Sequence, residues 1–332
     1  MPDPARLCAT IPAEYSGLRA DQALAMLFPE HSRSRIARWI RSGAALLDGA
    51  RSSPKAKVVG GEKVDILCKG SPDESLAARP GDLAIVHEDS EALVIDKPPG
   101  LVVHPGAGNL DHTLLNRLIF FDPSLRSIPR CGIVHRLDKD TSGLMVIART
   151  LTAHTRLVEM LRRREVERIY EAVTLGIPPA KGTIDAAIAR DRRRRTRMAI
   201  DAAGKPAITH YRRLQRYSRN ARMELRLESG RTHQIRVHLA HIGYPILGDA
   251  VYGGRHGRDR FSDGPSVISR DVADAGDIDP PSFFPRQALH AKRLSFAHPS
   301  TKETMVFESE PPADMQGLIE SLASENASRR PR

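Results

Sequence analysis

A chain of 332 residues is long enough for more than one hydrophobic core, and two domains are expected. Its 40% hydrophobic and 27% charged residues are ordinary for a soluble globular protein, and no apolar run nears the roughly 20 residues of a membrane span. A formal charge of +11 favours a polyanionic partner, without separating RNA from DNA or an anionic membrane. The start, Met1 to Arg6, lacks the basic-then-apolar pattern of a secretory signal. Cys8, Cys68 and Cys131 are far apart and show no zinc or disulfide spacing. A cytoplasmic protein without a metal or a membrane partner is expected, with a monomer as the default.

Taken in order, Leu18 to Ile66 reads as a small module. Ala23, Leu24 and Leu27 give a first helix that Pro29 stops. Ser32 is placed to cap a second helix through Ser42, with Ile36, Trp39 and Ile40 on one face. Arg33, Arg35, Arg38 and Arg41 fall largely on its other faces. Gly43 ends that helix, Ala45 to Leu47 reads as a strand, Asp48-Gly49 as a tight turn, and Lys63 to Leu67 as the returning strand. This helix-helix-hairpin order, with Leu-Arg-Ala-Asp, Ser-Arg-Ser-Arg-Ile, Leu-Leu-Asp-Gly and Gly-Gly-Glu-Lys-Val, resembles the S4 RNA-binding domain. The resemblance makes Arg33, Arg35 and Arg38 RNA contacts, although four arginines alone would equally well be a solvated helix face. Lys69 to Asp82, rich in Pro, Gly, Ser and charge, reads as a linker.

The second domain opens with strand-like runs at Leu83 to His87 and Ala92 to Ile95, then a rigid Pro98-Pro99-Gly100 turn. The segment reads as mainly structural, with Lys97 and His104 only weak candidates for RNA contacts, and His112 to Phe120 should be a helix. The centre of the chain is Gly132 to Ala148, where the apolar runs Ile133-Val134 and Leu144 to Ala148 read as strands around the polar loop His135 to Gly143. A loop pinned between strand ends can hold a reactive side chain rigidly, and Asp138 is the candidate, although a lone loop Asp more commonly accepts backbone amides.

Further on, Thr150 to Arg164 reads as an amphipathic helix, and Arg168 to Val173 as a strand carrying Tyr170. Arg190 to Arg197 is the densest charge cluster, a loop or hairpin tip, and Arg193 and Arg194 at its centre are candidates for phosphate contacts. Arg222 to Glu228 alternates as a half-buried strand, and Thr232 is expected to cap a helix running to about Ile242. His233, His238 and His241 share that helix, but the spacing from His233 to His238 turns them to different faces, which argues against a metal site.

Three strings together, His-Arg-Leu-Asp-Lys-Asp-Thr-Ser-Gly-Leu from His135, Arg-x-Tyr-x-Ala from Arg168 and Ser-Gly-Arg-Thr-His-Gln-Ile-Arg-Val-His from Ser229, resemble motifs of the RluA family of RNA pseudouridine synthases. The upstream Lys-Pro-x-Gly at Lys97, and Gly-Asp-Ala-Val-Tyr-Gly and Arg-Gln-Ala-Leu-His-Ala further on, match the same family. The resemblance implies Asp138 as catalytic carboxylate, Arg236 as the arginine paired to it and Tyr170 as the active-site tyrosine. His135, Arg136, Thr141, Arg231 and His233 are then candidate substrate or RNA contacts, with Arg136 placed to fill the space left by an extruded base. The implied fold is α+β: the S4-like module over 15–68, a linker over 69–82, and a mixed, largely antiparallel sheet with flanking helices over 83–312. A C-terminal tail, 313–332, should form a short helix and then fray. Residues 254–285 read as an insertion loop.

Pseudouridine formation breaks the N1–C1′ bond of a uridine, turns the uracil and rejoins it through C5, so nothing is added or removed and no cofactor is expected. Strings such as His-Pro-Gly-Ala-Gly-Asn and Val-Tyr-Gly-Gly resemble the members that modify the helix 69 stem-loop of large-subunit (23S) ribosomal RNA. The implied partner is that RNA or a pre-ribosomal particle. The residues leave open whether Asp138 attacks at C6 or C1′ or starts an elimination. Two alternatives stand beside the synthase: a non-catalytic rRNA-binding ribosome-assembly factor, and a hydrolase that would need a second carboxylate or a metal.

Overall fold

Apolar residues at Ala20, Ala23 and Leu24 and at Ile36, Trp39 and Ile40 build two helices, α1 (Ala20–Leu27) and α2 (Arg33–Ser42), which bury these side chains in one core. The computed structural model describes residues 6–28, 31, 33–67, 77–106, 109, 111–253 and 284–328. Contacts divide the chain into two units, Met1–Glu74 and Ser75–Arg332. Ser32, residues 69–76 of the expected linker and 254–283 of the expected insertion lie outside the described residues.

In the first unit the helices pack on a four-stranded sheet of β1 (Arg6–Thr10), β2 (Ala45–Leu47), β3 (Ala50–Arg51) and β4 (Lys63–Leu67), in the order β1-β4-β2-β3. Two expectations change. The Asp48-Gly49 turn leads from β2 into β3, because two consecutive residues with φ of 48° and 75° close a two-residue hairpin. Lys63–Leu67 returns instead along the other edge of β2. Strand β1, ahead of the segment read as the module, then covers β4, with Leu7 and Ala9 against the core. Its alternation is short, and only the partner strand makes it a strand.

The second unit contains β5 (Ala84–Glu88), β6 (Ala92–Lys97), α3 (Leu114–Phe121), β7 (Ser142–Ala148), α4 (Leu151–Arg162) and β8 (Glu167–Leu175). It continues with β9 (Lys181–Asp185), β10 (Ile188–Arg190), β11 (Met198–Ile200), β12 (Ile208–Arg216), β13 (Asn220–Leu227), α5 (Gln234–His241), β14 (Leu289–Ala297), β15 (Thr304–Glu308) and α6 (Ala313–Ser328). Nine of the strands form one sheet in the order β5-β6-β7-β14-β8-β13-β12-β9, with β15 on β14, while β10 and β11 form a separate hairpin. Among the described pairings of this sheet only β7 with β14 is parallel, so the architecture is α+β with a mixed, largely antiparallel sheet.

Period-two burial puts Leu93, Ile95, Met145, Ile147 and Tyr170 on one face, where α3, α5 and α6 pack, and Val94, Leu144 and Val146 on the other, where α4 packs. Helix α6 is longer than the short fraying helix expected, because Met315, Leu318 and Leu322 bury against the first face.

Ile133 makes only an isolated bridge to Ile147, and Val134 lies outside any strand, so the expected first strand of the central stretch is absent. The preceding turn explains this. Arg130, Cys131 and Gly132 all have positive φ, at 54°, 52° and 79°, which turns the chain sharply just before the polar loop. A Cβ at Gly132 would lie 1.9 Å from the Ala148 carbonyl oxygen, and one at Gly143 (φ 114°), at the other end of the loop, 2.3 Å from the Ala291 carbonyl oxygen. Gly132→Ala and Gly143→Ala should therefore each cost at least ~3 kcal/mol in urea unfolding, since backbone clash adds to positive-φ strain. A loss under ~1 kcal/mol would show that the loop ends adapt.

Candidate active site

The polar loop is held from several sides. Leu137 is buried in the core, and the Val146 N–H donates to His135 Nε2 at 3.1 Å. Arg286 Nη1 donates to the Asp140 carbonyl at 3.0 Å while its other nitrogens grip Asp314 of α6 at 2.7 and 2.9 Å. Lys97, a weak candidate for an RNA contact in a segment read as mainly structural, is wholly buried. Its ammonium donates to the carbonyls of Pro98, Leu101 and Lys139 at 2.7, 3.0 and 3.0 Å, which uses all three hydrogens and ties the loop to the end of β6. Burial pushes its pKa down to about 7, against the opposing pull of Asp140 and Asp138. His104 is half-buried and pushed down to about 4 by burial and by Arg130 and Arg136.

Held this way, Asp138 accepts from Arg236 Nη1 at 2.9 Å. Arg236 is buried on α5, and its other edge makes a bidentate pair with Asp249, Nε at 2.7 Å and Nη2 at 2.9 Å. Burial would lower the Arg236 pKa, but Asp249 and then Asp138 outweigh it and hold it above its ordinary value. Burial likewise would raise Asp249, yet Arg236 and the N–H groups of Tyr252 and Val251 keep it below the usual aspartate range. Asp249 is a site residue that sequence reading missed. The only signal was an acidic residue inside the Gly-Asp-Ala-Val-Tyr-Gly string, which matches the family without marking that residue.

Helix α5 begins differently from the expectation. Thr232 is not its cap; His233 occupies that position in a left-handed conformation, φ 56°. The Gln234 side chain takes over the local bonding by accepting from Ser229 Oγ at 2.8 Å and the Arg231 N–H at 3.0 Å. The turn places His233 Nε2 3.9 Å from Asp138 Oδ1 and Nδ1 2.8 Å from the Tyr252 hydroxyl. That hydroxyl accepts from the Met198 N–H at 2.8 Å, so its own hydrogen is free for His233 Nδ1. The Tyr252 ring lies 5.1 Å from the Arg236 guanidinium. The β10–β11 hairpin, whose tip holds the exposed Arg193 and Arg194, is thereby bonded to the surroundings of Asp138.

Tyr170 on β8, 6% exposed, forms a wall of the cleft above Asp138, and burial raises its pKa. The cleft is open to solvent, and the space within it together with the solvent at its mouth comes to about 510 Å³. His135, Arg136, Thr141, Arg231 and His233 all line it. Arg136 and Arg231 are exposed at it, whereas Thr141 is buried and accepts from Gln287 Nε2 at 3.2 Å. In the other unit Arg33 pairs with Asp21 at 2.8 Å, Arg35 stacks on Trp39 at 4.9 Å, and Arg38 and Arg41 are exposed. Among the described residues there is no group of three or more His, Cys, Asp or Glu able to hold a metal, and no helix long and apolar enough to cross a membrane.

The sheet has known counterparts. A family model described as RNA pseudouridylate synthase matches residues 91–241. The chain belongs to the RNA pseudouridylate synthase family, whose members are isomerases acting on RNA. Over its full length it is similar to proteins named ribosomal large subunit pseudouridine synthase D. The protein of that name from Pseudomonas aeruginosa is 48% identical over 97% of each chain, and that from Escherichia coli K12 is 47% identical over 96% of this chain and 95% of its own. Among solved structures, human RNA pseudouridylate synthase domain containing 4 is 26% identical with a TM-score of 0.54, covering 72% of this chain and 93% of its own. Human RNA pseudouridylate synthase domain containing 1, 24% identical with a TM-score of 0.52, shares the fold.

Proposed function

We propose that the protein isomerises uridine to pseudouridine in large-subunit ribosomal RNA, in the helix 69 stem-loop, with Asp138 as the catalytic carboxylate and the cytoplasm as its place of action. The observation that carries this reading is the Asp249–Arg236–Asp138 chain of ion pairs at the cleft. A carboxylate must be ionised to act as nucleophile or base, and Nη1 of a guanidinium already clamped by Asp249 gives this one a fixed, positively charged donor that aims it. The same placement serves attack at C6, attack at C1′ or proton removal from the sugar.

The target bond is hidden while the base is stacked, so the uridine must be extruded into the cleft. Tyr170 then supplies an aromatic face for the uracil, and exposed Arg136 stands at the cleft to fill the space the base leaves. The arginines of α2 and of the β10–β11 tip meet phosphates. The names and near full-length likeness of the bacterial relatives support the large-subunit substrate.

The test incubates the protein in EDTA with large-subunit RNA transcript and, separately, with assembled large subunits lacking pseudouridine, and maps the product by carbodiimide-dependent reverse-transcription stops. Stops within helix 69 are expected on at least one substrate. Binding to both with stops on neither would overturn the synthase reading in favour of an RNA-binding assembly factor.

A further inference from the structure

Arg168 lies two residues before Tyr170 on β8, so both side chains leave the same face of the strand, and both line the cleft. Arg168 is 6% exposed, as buried as Arg236 at 5% and Arg286 at 8%. Those two each hold a bidentate carboxylate. Among the described residues no carboxylate pairs with Arg168, and its Nε, fully enclosed, has no hydrogen-bond partner. A buried cation without a counter-charge is costly, and it persists where function uses it.

A second donor on the same cleft is also unmatched. His135 Nε2 accepts the Val146 N–H, which leaves the proton on Nδ1, and Nδ1 is buried without a partner. Burial first, then the charge of Arg168, pushes the His135 pKa down to about 3, so the ring stays a neutral donor. Gly230 keeps the guanidinium's space clear, since a Cβ there would lie 2.7 Å from Arg168 Nη1. Both residues line the cleft, and neither the enclosed Arg168 Nε nor the enclosed His135 Nδ1 has a partner among the described residues.

We propose that Arg168, with His135 Nδ1–H on the same cleft, receives the carbonyl edge of the target uracil and stabilises the negative charge that the base acquires during the reaction. The inference rests on the synthase reading above. When the C1′–N1 bond breaks, its electron pair leaves with the base as a uracil monoanion, delocalised over N1, O2 and O4. The base turns, a pair at C5 forms the C1′–C5 bond, C5 loses its proton and N1 gains one, so the atoms balance. If a carboxylate first adds at C6, the displaced pair also moves to the carbonyl edge, at O4. Each route develops charge where a fixed, water-excluded cation acts most strongly. A backbone phosphate is a poorer fit for this subsite. The strand continues on both sides of the flipped nucleotide, so its phosphates stay at the mouth, where Arg136 and Arg231 are exposed.

The experiment compares wild type, Arg168→Met and Arg168→Lys in single-turnover conversion of saturating substrate RNA, with RNA affinity and thermal melting measured alongside. Arg168→Met is expected to slow conversion about 100-fold or more, as loss of a preorganised charge donor does elsewhere. It should leave RNA Kd within about twofold and melt no lower than wild type, because an unpaired buried cation has been removed. Arg168→Lys should recover most of the rate. With 5-fluorouridine at the target, whose uracil anion is intrinsically more stable, the deficit of Arg168→Met in consumption of the target nucleoside should shrink toward about tenfold. Wild-type rate in Arg168→Met overturns the inference, and so does a defect confined to Kd, which would assign Arg168 to a phosphate. No conversion by wild type overturns both this inference and the synthase reading.

Discussion

Asp138→Asn should abolish pseudouridine formation, lowering the single-turnover rate by at least ~10⁴-fold, about 5.5 kcal/mol of barrier at 1.36 kcal/mol per decade. The amide has the carboxylate's shape but neither its charge nor its nucleophilicity. The variant should nevertheless fold. Arg236 keeps its two bonds to Asp249, the loop keeps its ties to Lys97, Arg286 and Val146, and Asp138 itself is only partly buried. Melting should therefore shift by no more than a few degrees, while RNA binding strengthens slightly because a negative charge has left a cleft that receives a polyanion. Single-turnover assays with filter binding check both points. A residual rate above about 1% of wild type would remove Asp138 from the central role.

Asp249 is expected to matter for stability and for chemistry together. Asp249→Ala leaves the Arg236 guanidinium buried with half its fork empty, and breaking such a pair typically costs about 3–5 kcal/mol. The rate should fall about 100-fold as well, because Arg236 would no longer be held where it aims Asp138. Asp249→Asn, which keeps the shape, should lose less stability and still lose activity. The pH dependence has a definite sign. The folded state holds Asp249 below the ordinary aspartate pKa of ~3.9, so its contribution is complete above that value and fades as pH falls through the lower folded one. Wild type should thus lose more stability than Asp249→Asn on acidification below about pH 4, measured by urea unfolding across a pH series. Equal losses would show that the pair adds nothing beyond packing.

Those two predictions draw on residues of different legibility. Asp138 and Arg236 are 98 positions apart, and the strings around them resemble separate motifs of one family, so their meeting was an expectation. Asp249 is only 13 positions from Arg236, yet nothing in its spacing distinguishes a carboxylate that grips an arginine from one that accepts turn amides; here it does both. Lys97 lies in a segment read as mainly structural, but its complete burial could not be read from the sequence, for a related reason. Lysine is almost always solvated, and only the convergence of three carbonyls makes its burial tolerable.

The sequence by itself determined the elements whose apolar spacing is long and regular: α1, α2, α4, β13, and the stretch that became β7. It also determined the α+β class and the family, because the motifs lie in order along most of the chain. Tertiary structure alone decided that β1 completes the first sheet, that Ile133-Val134 makes a bridge and not a strand, and that His233 replaces Thr232 at the start of α5. It also decided which charges are matched, giving Arg236 two carboxylates and, among the described residues, Arg168 none. The physical reason is that periodicity reports which face of a segment is buried, whereas ion pairing and strand addition depend on which distant segment arrives there.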